Sequence, residues 1–146
     1  MFNEFKAEFP GLACNESFAR MIAAGFVMDI DPTCEELSDI KTAVSEAVTN
    51  AIIHGYGEKG GAVILEGKRD NLTVTFTISD KGKGIEDVEL ARTPLYTGAE
   101  GSERSGMGFT VMEAFMDSVL VESAKDKGTK VVMTKTLSGG DKSNEQ

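Results

Sequence analysis

The chain has no tryptophan, one histidine, two cysteines and three prolines among its 146 residues. Cys14 and Cys34 form no Cys-x-x-Cys pair and His54 stands alone, so neither a disulfide framework nor structural zinc is expected. Basic residues are scarce: 15 Lys and Arg face 24 Asp and Glu, a net charge of -9. Nucleic acids and anionic membranes are held through basic patches, so neither is an expected partner. A phosphate ligand stays compatible with this charge where a helix dipole or a metal supplies local positive field. No apolar run approaches a membrane span, and no apolar leader of the secretory type is present, so a cytoplasmic protein with free thiols is expected. Gly-x4-Gly-Lys-Ser/Thr, His-Arg-Asp and Asp-Phe-Gly are all absent, which excludes a P-loop protein and a eukaryote-type kinase.

What is there organises around Lys41 to Gly55. Leu37, Ile40, Val44, Ala47, Val48 and Ala51 recur at steps of three and four, a core-facing helical stripe. Glu46 and Asn50 sit roughly 200–240° around from it and one turn apart, with Asp39 on a similar bearing. Ile53 shares their side, where a plain solvent face would not favour it. Thr33-Cys-Glu-Glu36 has the pattern of a capping box that starts this helix, and Gly55 is placed to end it.

Before it, residues 2–9 alternate as a half-buried strand with Phe5, Ala7 and Phe9 on one side. Asn15 reads as the N-cap of a helix running to about residue 29. Phe18, Met21, Ile22 and Gly25 are expected to face the core, leaving Arg20, Ala23, Ala24 and Val27 opposite. That second side is unusually apolar for solvent, and Arg20 reads there as an anchor for a protein partner. After it, residues 62–68 and 72–79 read as strands, joined tightly by Arg69-Asp-Asn71. Leu72, Val74, Phe76 and Ile78 point one way, and Thr73, Thr75, Thr77 and Ser79 the other, toward solvent or a dimer surface. A short helix over residues 87–91 precedes a loop over 92–105 with little apolar periodicity, of a length usually tied to function. A helix from Gly106 to about residue 116 follows, then strands 118–123 and 129–136 joined by Asp126-Lys-Gly128. The size fits one domain, residues 1–137, with a disordered tail over 138–146. The expected fold class is α+β: a two-layer α/β sandwich, with helices on one face of a mostly antiparallel mixed sheet.

Three segments carry chemistry. Asp80-x-Gly82-x-Gly84-Ile85 follows a buried strand, where glycines let a ligand approach and a carboxylate can accept from an exocyclic amine such as adenine's. Gly106-Met107-Gly108-Phe109 opens a helix whose free N–H groups suit phosphates, with Arg104 and Ser105 just before it. Asn50 can give an oxygen to Mg²⁺, which takes one or two protein oxygens beside phosphates and waters. Glu46 can accept a proton from an attacking hydroxyl.

Glu46-x-x-x-Asn50, Asp80-x-Gly-x-Gly84 and Gly106-x-Gly108, in this order and spacing, resemble the three boxes of the ATPase superfamily of gyrase, the Hsp90 chaperone, histidine kinases and MutL. The length and the run Ser45 to Gly55 are similar to its anti-sigma-factor serine kinases, most of all to the sporulation branch directed at sigma-F. The resemblance implies a Bergerat-type ATP-binding fold, ATP and Mg²⁺ as cofactors, and a homodimer. It implies a sigma factor as bound partner and an anti-anti-sigma protein phosphorylated on serine. Glu46 would then be the catalytic base and Asn50 the metal ligand. Asp80, with help from Thr129, would bind the adenine amine, and Gly82 and Gly84 would shape the adenine pocket. Residues from about 93 to 105, with Gly106 and Gly108, would wrap the phosphates. A stress-response member of the same family is an alternative. So is a module that ATP merely switches; Glu46 argues against that one, since binding alone needs no carboxylate there.

Overall fold

The computed structural model describes residues 1–56, 61–82, 84 and 108–139. Five strands form one sheet in the order β1-β2-β3-β5-β4: β1 Phe2–Pro10, β2 Ala62–Asp70, β3 Thr73–Asp80, β4 Ser118–Ser123 and β5 Thr129–Thr136. Every described pairing is antiparallel. Among the described residues three α-helices, α1 Asn15–Val27, α2 Cys34–Asn50 and α3 Gly108–Phe115, complete the two-layer α+β sandwich. The alternation read in the sequence orients the strands. Val74, Phe76 and Ile78 of β3 are buried, and the threonines between them face outward. There they form a ladder, with Thr73 and Thr136 hydroxyls 3.0 Å apart. Asp126 (φ 62°) and Gly128 (φ 83°) turn β4 into β5, as expected of that tripeptide.

α2 is the central helix, packed against both α1 and α3. It starts on the expected capping box. The Thr33 hydroxyl accepts from the Glu36 N–H at 3.0 Å, and Glu36 Oε1 accepts from the Thr33 N–H at 2.9 Å. Of the stripe that periodicity marked, Ile40, Val44, Ala47, Val48 and Ala51 are buried and Leu37 is partly buried; Ala43 is buried as well. The regular α-helix ends at Asn50, five residues before Gly55. The chain continues past Asn50 as a π-helical turn, Ala51–Tyr56, that packs against β3. The Ala51 N–H is shared between the Ala47 and Val48 carbonyls.

α1 corrects two expectations. Its N-cap is Cys14; Asn15 is already helical, and its side-chain amide donates to the Pro10 carbonyl at 2.8 Å. The stripe is also inverted. Phe18 and Met21 are more than half exposed, whereas Ala19, Ala23, Ala24 and Val27 are buried. Small side chains let α1 approach α2 and the sheet closely, and the bulky residues are left at its margin. Phe18 lies edge-on to Phe9, with ring centroids 5.9 Å apart.

Arg69 is not part of the turn. It lies within β2 at an inward-facing position, 2% exposed. Its guanidinium donates to the Phe26 carbonyl at 3.0 Å and is paired through both Nη atoms with the Asp29 carboxylate. It also stands 5.4 Å from the centre of the Phe26 ring. Sequence periodicity cannot find such a pair, because its members are separated by a helix and a strand. At the same end of the sheet, Leu137 is buried and donates its N–H to the Leu72 carbonyl at 2.8 Å, and Ser138 donates its N–H to Glu36 Oε2 at 2.8 Å.

Candidate functional site

Asp80 ends β3 and is one of two buried charged side chains among the described residues, the other being Arg69. Burial pushes its pKa up from the ordinary carboxylate value, opposed by hydrogen bonds from the Gly82 and Thr129 backbones. The Gly82 N–H reaches Asp80 Oδ1 at 2.9 Å. Thr129 is the direct cross-strand partner of Asp80. The Thr129 hydroxyl is 2.8 Å from that of Ser123, which also meets the Gly128 carbonyl at 2.8 Å.

The loop after Asp80 is clamped by the β4–β5 turn. At Gly84 (φ 74°) a Cβ would fall 1.9 Å from the Ala124 carbonyl oxygen. At Gly128 (φ 83°) it would fall 2.2 Å from the Asp80 carbonyl oxygen. Both positions therefore require glycine for close backbone approach. Gly128 read in the sequence only as a hairpin residue; its second role is invisible without the packing.

Glu46 and Asn50 are partly exposed on α2, one turn apart, on the side away from the buried stripe. Asn50 is the last α-helical residue before the π turn, a departure that recurs at functional sites. Because the π turn packs on β3, the Asn50 end of α2 and the Asp80 strand belong to neighbouring elements. Gly108 opens α3, which packs along α2. The fold thus brings the three segments onto adjacent elements. Asp39 is committed elsewhere, paired with Lys135 at 3.5 Å.

Phe109 is 7% exposed in the hydrophobic core, so only its backbone is left for a ligand. Arg20 is partly exposed, with its Nε 3.3 Å from Glu16 and an Nη atom 3.1 Å from the Ser17 hydroxyl. It lies beside the α1–α2 contact, not on an outer apolar face. Ile85, Arg104, Ser105, Gly106, Met107, the helix expected over 87–91 and the lid over 93–105 lie outside the described residues.

Among the described residues no group of three or more His, Cys, Asp or Glu could hold a metal. A cation near Asn50 would take one amide oxygen from the protein and the rest from phosphates and water, as Mg²⁺ tolerates. The donor set therefore fits Mg²⁺ carried with a nucleotide, and does not fit an all-protein cage.

These features define an ATP-binding sandwich, and comparison with known proteins agrees. The family model described as histidine kinase-like ATPase domain matches residues 12–135. Structures of the same shape include the RsbU and RsbW domains of a Mycobacterium tuberculosis protein, with TM-score 0.68, 17% identity, and coverage of 92% of this chain and 32% of that one. The catalytic domain of histidine kinase ThkA superposes with TM-score 0.58 at 15% identity, covering 94% of this chain and 96% of that one. Both likenesses concern the fold alone. The sequence relatives are much nearer. An anti-sigma F factor of Clostridium kluyveri is 53% identical over 92% of this chain and 95% of its own length. One of Clostridium perfringens is 54% identical over 94% and 99%. The chain belongs to the histidine kinase-like ATPase family, and within it to the anti-sigma F factors.

Proposed function

We propose that this chain binds an RNA polymerase sigma factor, sigma-F, keeps it from the polymerase, and uses Mg-ATP to phosphorylate a serine of an anti-anti-sigma partner. The observation that carries the phosphotransfer is Glu46, a carboxylate one helical turn before Asn50 on the open side of α2. The near-full-length relatives named anti-sigma F factor support the sigma partner. In this reading the Asp80 carboxylate takes the adenine amine beside Thr129 and Gly82. Asn50 would hold Mg²⁺, which supplies positive charge to the phosphates when bound. Arg104, Ser105, Gly106, Met107 and Gly108, with the Phe109 backbone, are assigned to the phosphates, and Ile85 to the adenine pocket.

The serine Oγ bonds to the γ-phosphorus as the bond from that phosphorus to the β,γ-bridging oxygen breaks. ADP leaves with the electron pair, and the serine proton passes to Glu46. The working state is a homodimer in the cytoplasm. Among the described residues no helix is long and apolar enough to cross a membrane.

The test is incubation with labelled ATP, Mg²⁺ and the anti-anti-sigma protein. Label should appear on a serine of that protein. Glu46→Gln should still bind Mg-ATP and transfer phosphate at least ~100-fold more slowly, the usual size of a general-base contribution. Transfer within a few-fold of wild type would leave Glu46 structural and favour a nucleotide-switched binding module.

A further inference from the structure

An open cleft of about 250 Å³ runs between α1 and α2, lined by Arg20, Ser38, Lys41, Thr42, Ser45 and Glu46. Only Glu46, at one end, belongs to the nucleotide site. Ser38, Thr42 and Ser45 follow one another at steps of four and three, so their hydroxyls form a row along one face of α2. Lys41 and Glu46 flank that row. Five positions separate them, about 7.5 Å along the helix axis. Arg20 enters from α1, held by Glu16 at 3.3 Å and by Ser17 at 3.1 Å. Among the described residues Lys41 makes no ion pair.

The chain carries a net charge of -9, yet two cations stand together here. Hydroxyls in a row suit the N–H and C=O groups of an extended peptide, and the cations suit its carboxylates. A phosphate dianion fits less well, since Glu46 lines the cleft and Glu16 is already paired with Arg20. The glutamate at one end is the group assigned to take a serine proton.

We propose that this cleft seats the phosphoacceptor segment of the protein substrate as an extended peptide. Its serine lies at Glu46, and an acidic side chain of the same segment pairs with Lys41. Lys41 also lies about 140° around the helix from Glu46, so their Cα atoms are about 9 Å apart, and in an extended chain advancing about 3.3 Å per residue the acidic residue stands about two to three positions from the serine. The proposal rests on the phosphotransfer reading and adds to it a specificity determinant, Lys41.

The test uses the full chain, Mg-ATP and the anti-anti-sigma protein. Lys41→Glu should raise the KM for that protein at least ~10-fold, the scale of a reversed charge pair at an interface, with kcat and Mg-ATP affinity unchanged. Its affinity for the same protein in the presence of ADP, measured by calorimetry, should fall by the same factor. Lys41→Arg should behave as wild type. A substrate whose acidic residue near the serine is changed to lysine should restore KM with Lys41→Glu. An unchanged KM, or a lowered kcat at constant KM, overturns the proposal. So does loss of sigma-factor binding at unchanged substrate KM, which would give the cleft to the sigma factor. A wild-type chain that transfers no phosphate sinks the phosphotransfer reading and this seat with it. A wild-type chain that transfers it while Lys41→Glu keeps its KM sinks the seat alone.

Discussion

Asp80 is held at a cost to the fold. Burial raises its pKa, so the folded state binds a proton more tightly there than the unfolded chain does. A carboxyl raised in this way destabilises the fold above its folded pKa, and the penalty fades as pH falls through that value. Asp80→Asn without nucleotide should therefore melt at or above the wild-type temperature at pH 7–8, and the difference should shrink as pH is lowered. The same variant should bind ATP at least ~10-fold more weakly, as expected on losing a charge-assisted hydrogen bond. Calorimetric melting across pH and nucleotide titration check both. A variant that melts several degrees lower at neutral pH would make the carboxylate structural.

At the scale of elements, the Arg69–Asp29 pair fixes the end of α1 to β2. Arg69 is fully enclosed, while the Asp29 side chain is 63% exposed. The Arg69 guanidinium holds the Asp29 carboxyl below its usual range, first by hydrogen bonding. That contribution is present above the unfolded pKa and is lost as pH falls through the folded one. Removing only the carboxylate leaves a buried cation without its counter-charge; removing the arginine removes the desolvation as well. Asp29→Asn should thus lower the melting temperature more than Arg69→Met does. The reverse order would mean that packing of the arginine stem, and not charge, holds α1 in place.

For the whole molecule, α1 carries both part of the core and Arg20, the residue proposed to meet a protein partner. Its small residues are turned inward, so Arg20 is not set in an outer apolar patch as its sequence neighbours implied. It remains partly exposed beside the α1–α2 cleft. Arg20→Glu should leave the fold and Mg-ATP binding intact. It should weaken homodimerisation or the binding of at least one protein partner by more than ~2 kcal/mol, the scale of an interface hot spot. Sedimentation and pull-down with sigma-F and the anti-anti-sigma protein decide it. No change in any of the three would make Arg20 an ordinary surface residue.

The sequence alone determined what depends on local period and local chemistry. The strand alternation of β3, the core stripe of α2, the Thr33–Glu36 capping box and the Asp126–Gly128 turn were legible because each is encoded within a few consecutive residues. The three motif segments were legible for the same reason, as was the family, whose match spans residues 12–135. Tertiary structure decided what depends on close approach. Which side of α1 faces inward was set by how near α2 comes, and that favoured alanine over phenylalanine and methionine. The burial of Arg69 was set by Asp29, 40 positions away in sequence. The second duty of Gly128 and the cleft joining Arg20 to Glu46 arise where segments distant in sequence touch. Periodicity reports which face of an element is apolar; only packing reports how closely a neighbour approaches that face.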